Sequence, residues 1–330
     1  MTDAACRIVT ADRGDAGRRL DLVLRRHLTD VRAATRTQVQ AWIEGGRVTV
    51  NGKAVHRVAV RTAFGDVVSV ALPASPTAPM AAEDVPLQVL YEDDHLLAVD
   101  KPAGLVVHPA HKNLSGTLMN ALLWHARAWP EGQRPSLVGR LDKLTSGLVL
   151  VAKSAAIHTS LQKALASSAT TKDYLAVVYG KVNVVRGDID LRLARDPGDR
   201  RRVVASEEVG APSLTRFERL ARVAAPRAAL SLLRCRLVTG RTHQIRVHLA
   251  ARGWPLVGDP TYGEPRWRQV TDLALASVLR EFPRQALHAW RVTTRHPATH
   301  ADLTIEAPVP RDIQGLIDAA GLSMQAPTWR

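Results

Sequence analysis

The chain has 330 residues, 46% hydrophobic and 23% charged, which is enough for two domains and at least one sizeable core. No apolar run approaches the roughly 20 residues of a membrane span; Met1 to Cys6 carries no export pattern; and Cys6 and Cys235 make no disulfide or metal spacing. A cytoplasmic protein without membrane contact is expected, and its net charge of +14 favours a nucleic-acid partner, although arginine-rich drift accounts for part of such an excess.

Residues 1–16 show no period and read as a flexible arm. Leu20, Leu24 and Leu28 then recur at helical spacing. Thr35-Arg36-Thr37-Gln38 has the form of a capping box before a second helix, with Val39, Trp42 and Ile43 on its apolar face and Gly45-Gly46 at its end. Val48-Thr49-Val50 runs into Asn51-Gly52, a strong hairpin signal, and a further strand is expected over Val67 to Val70. Arg18, Arg19, Arg25, Arg26, Arg32, Arg36 and Arg47 lace this module, either as an RNA-binding surface or as a solvated basic face. Residues 73–85, with Pro73, Pro76 and Pro79, have linker composition.

A larger domain is expected over 86–310. Leu87 to Val99 reads as a hairpin turning at Asp93-Asp94. In Lys101-Pro102-Ala103-Gly104-Leu105-Val106-Val107-His108-Pro109, Lys101 and His108 flank a turn as phosphate contacts or, more simply, as surface residues. Ser115 or Thr117 caps a following helix. Strands are expected at Leu148–Ala152, Thr171–Gly180 and Leu230–Leu237, with a helix near Ala155–Ala166 between the first two. Tyr174 and Tyr179 lie an odd number of steps apart and so face opposite sides of their strand. Over 192–205, Arg192, Arg195, Arg200, Arg201 and Arg202 surround Pro197-Gly198 in an exposed basic loop, either a phosphate-contacting element or a simple solvated loop. Thr242 can cap a helix holding His243 to Leu249, in which Ile245 and Leu249 form a core pair and Arg246, beside them, wants an acidic partner. His243 and His248 are five apart, wrong for one helix face, so no metal site is expected. A final strand pair spans 285–308, and 311–330 forms a terminal helix and tail.

The stretch at the centre of this domain is Leu137-Val138-Gly139-Arg140-Leu141-Asp142-Lys143-Leu144-Thr145-Ser146-Gly147-Leu148. Thr145-Ser146-Gly147 reads as a turn, with Gly147 free to take positive φ, and Asp142 stands on a tight loop beside a buried strand. A carboxylate so placed is either a nucleophile or base, or a structural aspartate paired with Arg140.

This stretch resembles the His-Arg-Leu-Asp-x-x-Thr-Ser-Gly motif of the RluA-type pseudouridine synthases, with Gly139 in place of the histidine. Lys101 to Pro109 matches another family segment, Lys172-x-Tyr174-x-Ala176-x-Val178-x-Gly180 a second motif, and Leu237 to Leu249, continuing through Gly258-Asp259-x-x-Tyr262-Gly263, a third. Gly-Arg-Leu-Asp also occurs in the RsuA-type branch, but the His243-Gln244-Ile245-Arg246-x-His248-Leu249 run favours the RluA branch. Residues 17–72 are similar to the S-four-type RNA-binding module, through Arg19-Leu20-Asp21, Thr35-Arg36 and Gly46 to Gly52.

The resemblance implies an α+β protein: a small N-terminal RNA-binding module, then a mixed, mainly antiparallel sheet flanked by helices. It implies an isomerase that converts uridine in structured RNA to pseudouridine without cofactor or metal, with ribosomal RNA favoured over transfer RNA. Asp142 corresponds to the catalytic carboxylate and Arg246 to its partner; an adjacent guanidinium favours the ionised form and fixes its direction. Tyr174 corresponds to the residue that stacks on uracil and takes part in removing the C5 proton. Arg140 corresponds to the residue that fills the gap left by the flipped base, and Ile245 packs against that base. Lys172, Arg19, Arg36 and Arg47 complete the expected RNA contacts. The competing class is a noncatalytic RNA-binding or ribosome-assembly factor, which has no need of Asp142, Tyr174 and Arg246 together. No helix-turn-helix or zinc pattern supports a DNA regulator, and no second placed carboxylate supports a hydrolase of glycosidic bonds. Oligomeric state has no signature here, and a monomer is expected.

Overall fold

The structure, a computed structural model, describes residues 6–31, 34–72, 80–109, 115–167, 170–199, 201–223 and 228–322. Residues 1–5 of the expected arm, 73–79 of the expected linker, Arg32, Arg200 and residues 323–330 lie outside that set.

In chain order the first elements are β1 (Cys6–Thr10), α1 (Leu20–His27), α2 (Arg36–Glu44), β2 (Val48–Val50), β3 (Lys53–Ala54) and β4 (Val67–Ala71). Then come β5 (Gln88–Glu92), β6 (Leu96–Lys101), α3 (Leu118–His125), β7 (Ser136–Val138), β8 (Ser146–Ala152), α4 (Ala155–Ala166) and β9 (Thr171–Tyr179). The last are β10 (Arg186–Arg195), β11 (Val203–Ser206), β12 (Ala211–Val223), β13 (Leu230–Leu237), α5 (Gln244–Ala251), α6 (Leu273–Glu281), β14 (Leu287–Arg295), β15 (Asp302–Glu306) and α7 (Arg311–Ala320). Among the described residues no helix is long and apolar enough to cross a membrane. The chain forms two compact units: Met1–Leu97, Val106–Arg140 and Leu150–Lys163 in one, Ala98–Leu105, Leu141–Val149 and Ala164–Arg330 in the other.

In the first unit, β1, β4, β2 and β3 form a four-stranded sheet in that order. Leu20, Leu24 and Leu28 of the first helical stripe meet Val39, Trp42 and Ile43 of the second and Val48, Val68 and Val70 of the sheet in one buried core. Each such side chain contributes roughly 1.5–3 kcal/mol on burial, so the module rests on the periodicity visible in the sequence. Thr35 caps α2 by accepting from the Gln38 amide at 3.3 Å. The expected arm is different: Cys6–Thr10 pairs antiparallel with Val67–Ala71 as an edge strand. Five residues with only Val9 buried leave too little alternation for a periodic signal.

In the second unit the strands run β11-β10-β12-β13-β9-β14 with antiparallel pairing, and β15 continues antiparallel beside β14. The start of β8 lies parallel to β14, matching Ser146 to His288 and Gly147 to Ala289. The sheet is therefore mixed and mainly antiparallel, as expected. Its two faces carry separate cores. Leu175, Val177 and Tyr179 pack with α6 and α7, while Ala176 and Val178, with Tyr174 against them, pack with Ile245 and Leu249 of α5. The expected basic loop at 192–205 is instead largely a β-hairpin, since Arg192 and Arg195 belong to β10 and Val203 to Ser206 pair back as β11. The alternation of Ile189, Leu191 and Leu193 underlies it.

Gly147 has φ +110°, and a Cβ there would lie 2.2 Å from the carbonyl oxygen of Ala289. Gly147→Ala is therefore expected to lower stability by about 2–4 kcal/mol, combining backbone strain with a clash against a backbone that cannot give. The measurement is urea unfolding, with a lower midpoint and an unchanged slope.

Candidate active site

The Asp142 loop is held at nearly every residue. Thr145 N donates to the Asp142 carbonyl at 3.1 Å, closing a tight turn. Thus the turn lies at Lys143-Leu144, earlier than the expected Thr145-Ser146-Gly147, because Ser146 and Gly147 are already committed to the parallel pairing with β14. The Lys143 carbonyl accepts from Gly104 N at 2.8 Å and from Lys101 Nζ at 3.2 Å. Arg284 Nη1 reaches the Leu144 carbonyl at 3.3 Å, and Gln285 Nε2 donates to Thr145 Oγ1 at 3.1 Å. His288 Nε2 lies 3.4 Å from the Ala307 carbonyl, leaving Nδ1 to accept from Ser146 Oγ at 3.0 Å. Burial pushes the His288 imidazole down to about 4, so it is neutral at pH 7, as this pattern requires.

Lys101 corrects the plain surface reading. It is 0% exposed, and its ammonium also donates to the Pro102 and Leu105 carbonyls at 2.8 and 3.0 Å. Burial, helped by the charge of Arg284, lowers it to about 8 against the opposing pull of Asp142 and Asp100. Its role in the fold is to gather carbonyls from the 102–105 turn and the Asp142 loop onto one cation.

Arg246 meets that loop from α5. The helix begins at Gln244 without using the expected Thr242 cap. Gln244 Oε1 accepts from Arg241 N at 3.0 Å and Thr239 Oγ1 at 2.8 Å, while Nε2 donates to the Leu214 carbonyl and Thr215 Oγ1. So anchored, α5 places a 5% exposed Arg246 side chain between two carboxylates. Nε and Nη2 bind the buried Asp259 in fork geometry at 2.7 and 2.8 Å, and Nη1 donates to Asp142 Oδ2 at 2.9 Å. Burial opposes charge on Asp259, but Arg246 and the amides of Thr261 and Tyr262 outweigh it and hold the carboxyl below its usual value. Burial likewise opposes charge on Arg246, and Asp259 with Asp142 more than restores it. Asp142 itself is 20% exposed, so the paired carboxylate remains open to a ligand.

The expected residues distribute as follows. Tyr174 lies within the field of Asp142; burial first, then that charge, raises its phenol, which stays protonated at neutral pH. Ile245 is buried in the core against which Tyr174 packs. Lys172 is half-buried, two residues from Tyr174 on the same strand face, with its ammonium lowered by burial and placed beside Gly240. Arg140, Arg19, Arg36 and Arg47 belong to the first unit. Arg140 and Arg47 are exposed. Arg19 binds the fully buried Asp21 through two nitrogens at 3.0 and 3.2 Å, and Arg36 Nε lies 3.9 Å from the same carboxylate. Gly139 has φ +96°, a conformation that glycine takes freely and a residue with a Cβ takes only with strain, and this fits the departure from the family motif.

Sequence reasoning assigned no role to Asp259, Tyr262 or His243. Their only signal was membership of the third motif, since nothing in the spacing shows that residue 259 returns to residue 246. His243 and His248 part company: His243 faces Tyr262 and Asp142, whereas His248 is fully buried against Ser213 Oγ at 3.0 Å. Among the described residues, Asp12, Asp15 and His27 bring ligand atoms within 4.8 Å of one another, but the Arg26 guanidinium already pairs with both carboxylates.

Residues 95–251 match the RNA pseudouridylate synthase family and residues 18–68 the S4 domain. The chain is 40% identical to the ribosomal large subunit pseudouridine synthase D of Nitrosomonas europaea, over 92% of this chain and 85% of that one. The chain belongs to the RNA pseudouridine synthase family. It is also 40% identical to the uncharacterized RNA pseudouridine synthase YlyB of Bacillus subtilis, over 86% and 89% of the two chains. It is 36% identical to the Escherichia coli ribosomal large subunit pseudouridine synthase D, over 94% and 92%. The solved structure of human RNA pseudouridylate synthase domain containing 1 superposes with a TM-score of 0.56 at 25% identity, covering 74% of this chain and 92% of its own. This synthase is thus an isomerase acting on RNA, with an S4 domain ahead of its synthase region.

Removing Asp259 leaves the buried Arg246 with one partner, so Asp259→Asn is expected to cost about 3 kcal/mol in urea unfolding at pH 7. The stabilisation from Asp259 is complete above the unfolded carboxylate value of about 3.9 and is lost as pH falls through its lower folded value. The stability gap between wild type and variant should therefore shrink on acidification below pH ~4.

Proposed function

We propose that this synthase isomerises uridine in large-subunit ribosomal RNA, with Asp142 as the carboxylate that acts on the target nucleotide. The observation that carries the reading is the 2.9 Å bond from a buried Arg246 to a carboxylate that is itself open to a ligand. The RNA class is supported by relatives named for the large ribosomal subunit that match over nearly the whole chain. Work beside the ribosome also fits a cytoplasmic setting.

The reaction breaks the N1–C1′ bond, turns the uracil within the site and joins C5 to C1′. A proton leaves C5 and one is gained at N1, so nothing else is consumed. The target must first leave its stack, at a cost of a few kcal/mol; the exposure of Arg140, two residues before Asp142 in the chain, supports a role in filling the gap. Arg246 addresses Oδ2, which leaves Oδ1 to meet the nucleotide. Tyr174 supplies a neutral aromatic ring for stacking; a phenolate base does not fit a phenol whose ionisation is pushed upward. Lys172 adds a cation on the same strand face for the phosphate backbone. On the S4 domain, Asp21 draws Arg19 and Arg36 toward one point of the surface, which together with Arg47 suits backbone contact with structured RNA.

The test is tritium release from C5-labelled uridine in transcripts of large-subunit ribosomal RNA and of transfer RNA. Wild type should release tritium from the ribosomal transcript, and Asp142→Asn should be slower by on the order of 10³-fold while still binding it. Release from transfer RNA alone would move the substrate to that class, and full activity in Asp142→Asn would remove Asp142 from the chemistry.

A further inference from the structure

Tyr262 stands at a junction beside the Asp142 carboxylate. Asp259, which holds Arg246, also accepts from the Tyr262 amide at 3.0 Å and so fixes where this tyrosine begins. The Arg246 guanidinium lies 5.0 Å from the Tyr262 ring centroid and Arg202, from the β10–β11 hairpin, 5.4 Å. The ring therefore contacts the same guanidinium that binds Asp142. Its hydroxyl accepts from Val203 N at 2.9 Å and lies 2.9 Å from His243 Nδ1.

With Val203 N–H as donor, the hydroxyl's own proton is available to Nδ1. Given there, that proton makes Nδ1 the acceptor and puts the imidazole proton on Nε2. His243 Nε2 faces Asp142 Oδ2 at 3.8 Å, the same oxygen that Arg246 binds. This distance is longer than a hydrogen bond and of the kind that tightens when a ligand closes a site. His243 holds φ +56°, a left-handed conformation uncommon for a side-chain-bearing residue, and this backbone aims its ring back at the Tyr262 edge.

We propose that Tyr262 and His243 form a positioning pair for Asp142: the Tyr262 hydroxyl sets the His243 tautomer so that Nε2–H faces the carboxylate, while the Tyr262 ring steadies the Arg246 guanidinium that binds the same oxygen. The pair rests on the reading of Asp142 as the reactive carboxylate. It acts through Asp142 and not on the nucleotide, so it governs turnover and leaves RNA affinity alone.

The experiment compares kcat and KM for tritium release, filter-binding affinity for the same transcript and the thermal midpoint across variants. Tyr262→Phe keeps the ring and removes the hydroxyl. His243→Asn tolerates the left-handed backbone but is too short to reach Asp142, whereas His243→Gln returns an amide N–H near the Nε2 position. Tyr262→Phe and His243→Asn are each expected to lower kcat about tenfold, with KM and affinity within about twofold. The double variant should be no slower than the worse single one, because both losses pass through one carboxylate, and His243→Gln should recover most of the rate. An undiminished kcat in either single variant, losses that multiply in the double, or equal slowness of Asn and Gln would overturn the pair. Should Tyr262→Phe melt early, the Asn and Gln comparison decides alone. Asp142→Asn is run alongside: if it stays fully active, the reading of Asp142 fails and the pair with it, whereas an inactive Asp142→Asn beside an unimpaired Tyr262→Phe removes only the pair.

Discussion

One buried guanidinium is shared between two carboxylates, and much of the synthase region is arranged to make that affordable. Withdrawing an arginine from water costs several kcal/mol unless its charge and its donors are met. Asp259 meets them in fork geometry inside the protein, and Asp142 takes the remaining nitrogen at its edge. The arrangement is unequal by design of burial: Asp259 is enclosed and fully committed, while Asp142 keeps contact with solvent. A carboxylate bound through Oδ2 and still partly exposed has a fixed direction without being used up.

Fixing that direction also requires a rigid loop, and here backbone carbonyls are gathered by buried donors. Lys101 and Arg284 draw in the carbonyls of Lys143 and Leu144, Gln285 binds the Thr145 hydroxyl, and His288 receives the Ser146 hydroxyl. These contacts join segments up to 142 residues apart in the chain, as between Ser146 and His288, so the loop is rigid only once the second unit has folded. The parallel match of Gly147 to Ala289 depends on a residue without a Cβ and closes the same loop from the strand side. The basicity of the chain is organised as well. In the S4 domain a fully buried Asp21 collects Arg19 and Arg36, which turns part of the excess charge into a patterned surface.

Elements with strong periodicity were legible from the sequence: Leu20, Leu24 and Leu28 with Val39, Trp42 and Ile43, the strand at Leu230–Leu237, the helix at Ala155–Ala166 and the opposed faces of Tyr174 and Tyr179. Edge strand β1 was not, because an edge needs pairing more than burial and leaves a weak pattern. Nor was the hairpin of β10 and β11, where arginines at the strand end conceal the alternation of Ile189, Leu191 and Leu193.

The sequence by itself determined the family, the order of the motifs and the need of Arg246 for an acidic partner, since local spacing and residue type carry that information. Tertiary structure alone decided that the buried partner is Asp259, that Lys101 is an interior cation, that Gln244 organises the start of α5 in place of Thr242, and that Tyr262 and His243 stand beside Asp142. The physical reason is that burial and charge pairing depend on which distant segments the sheet brings together, and no periodicity within one segment records the identity of its neighbour.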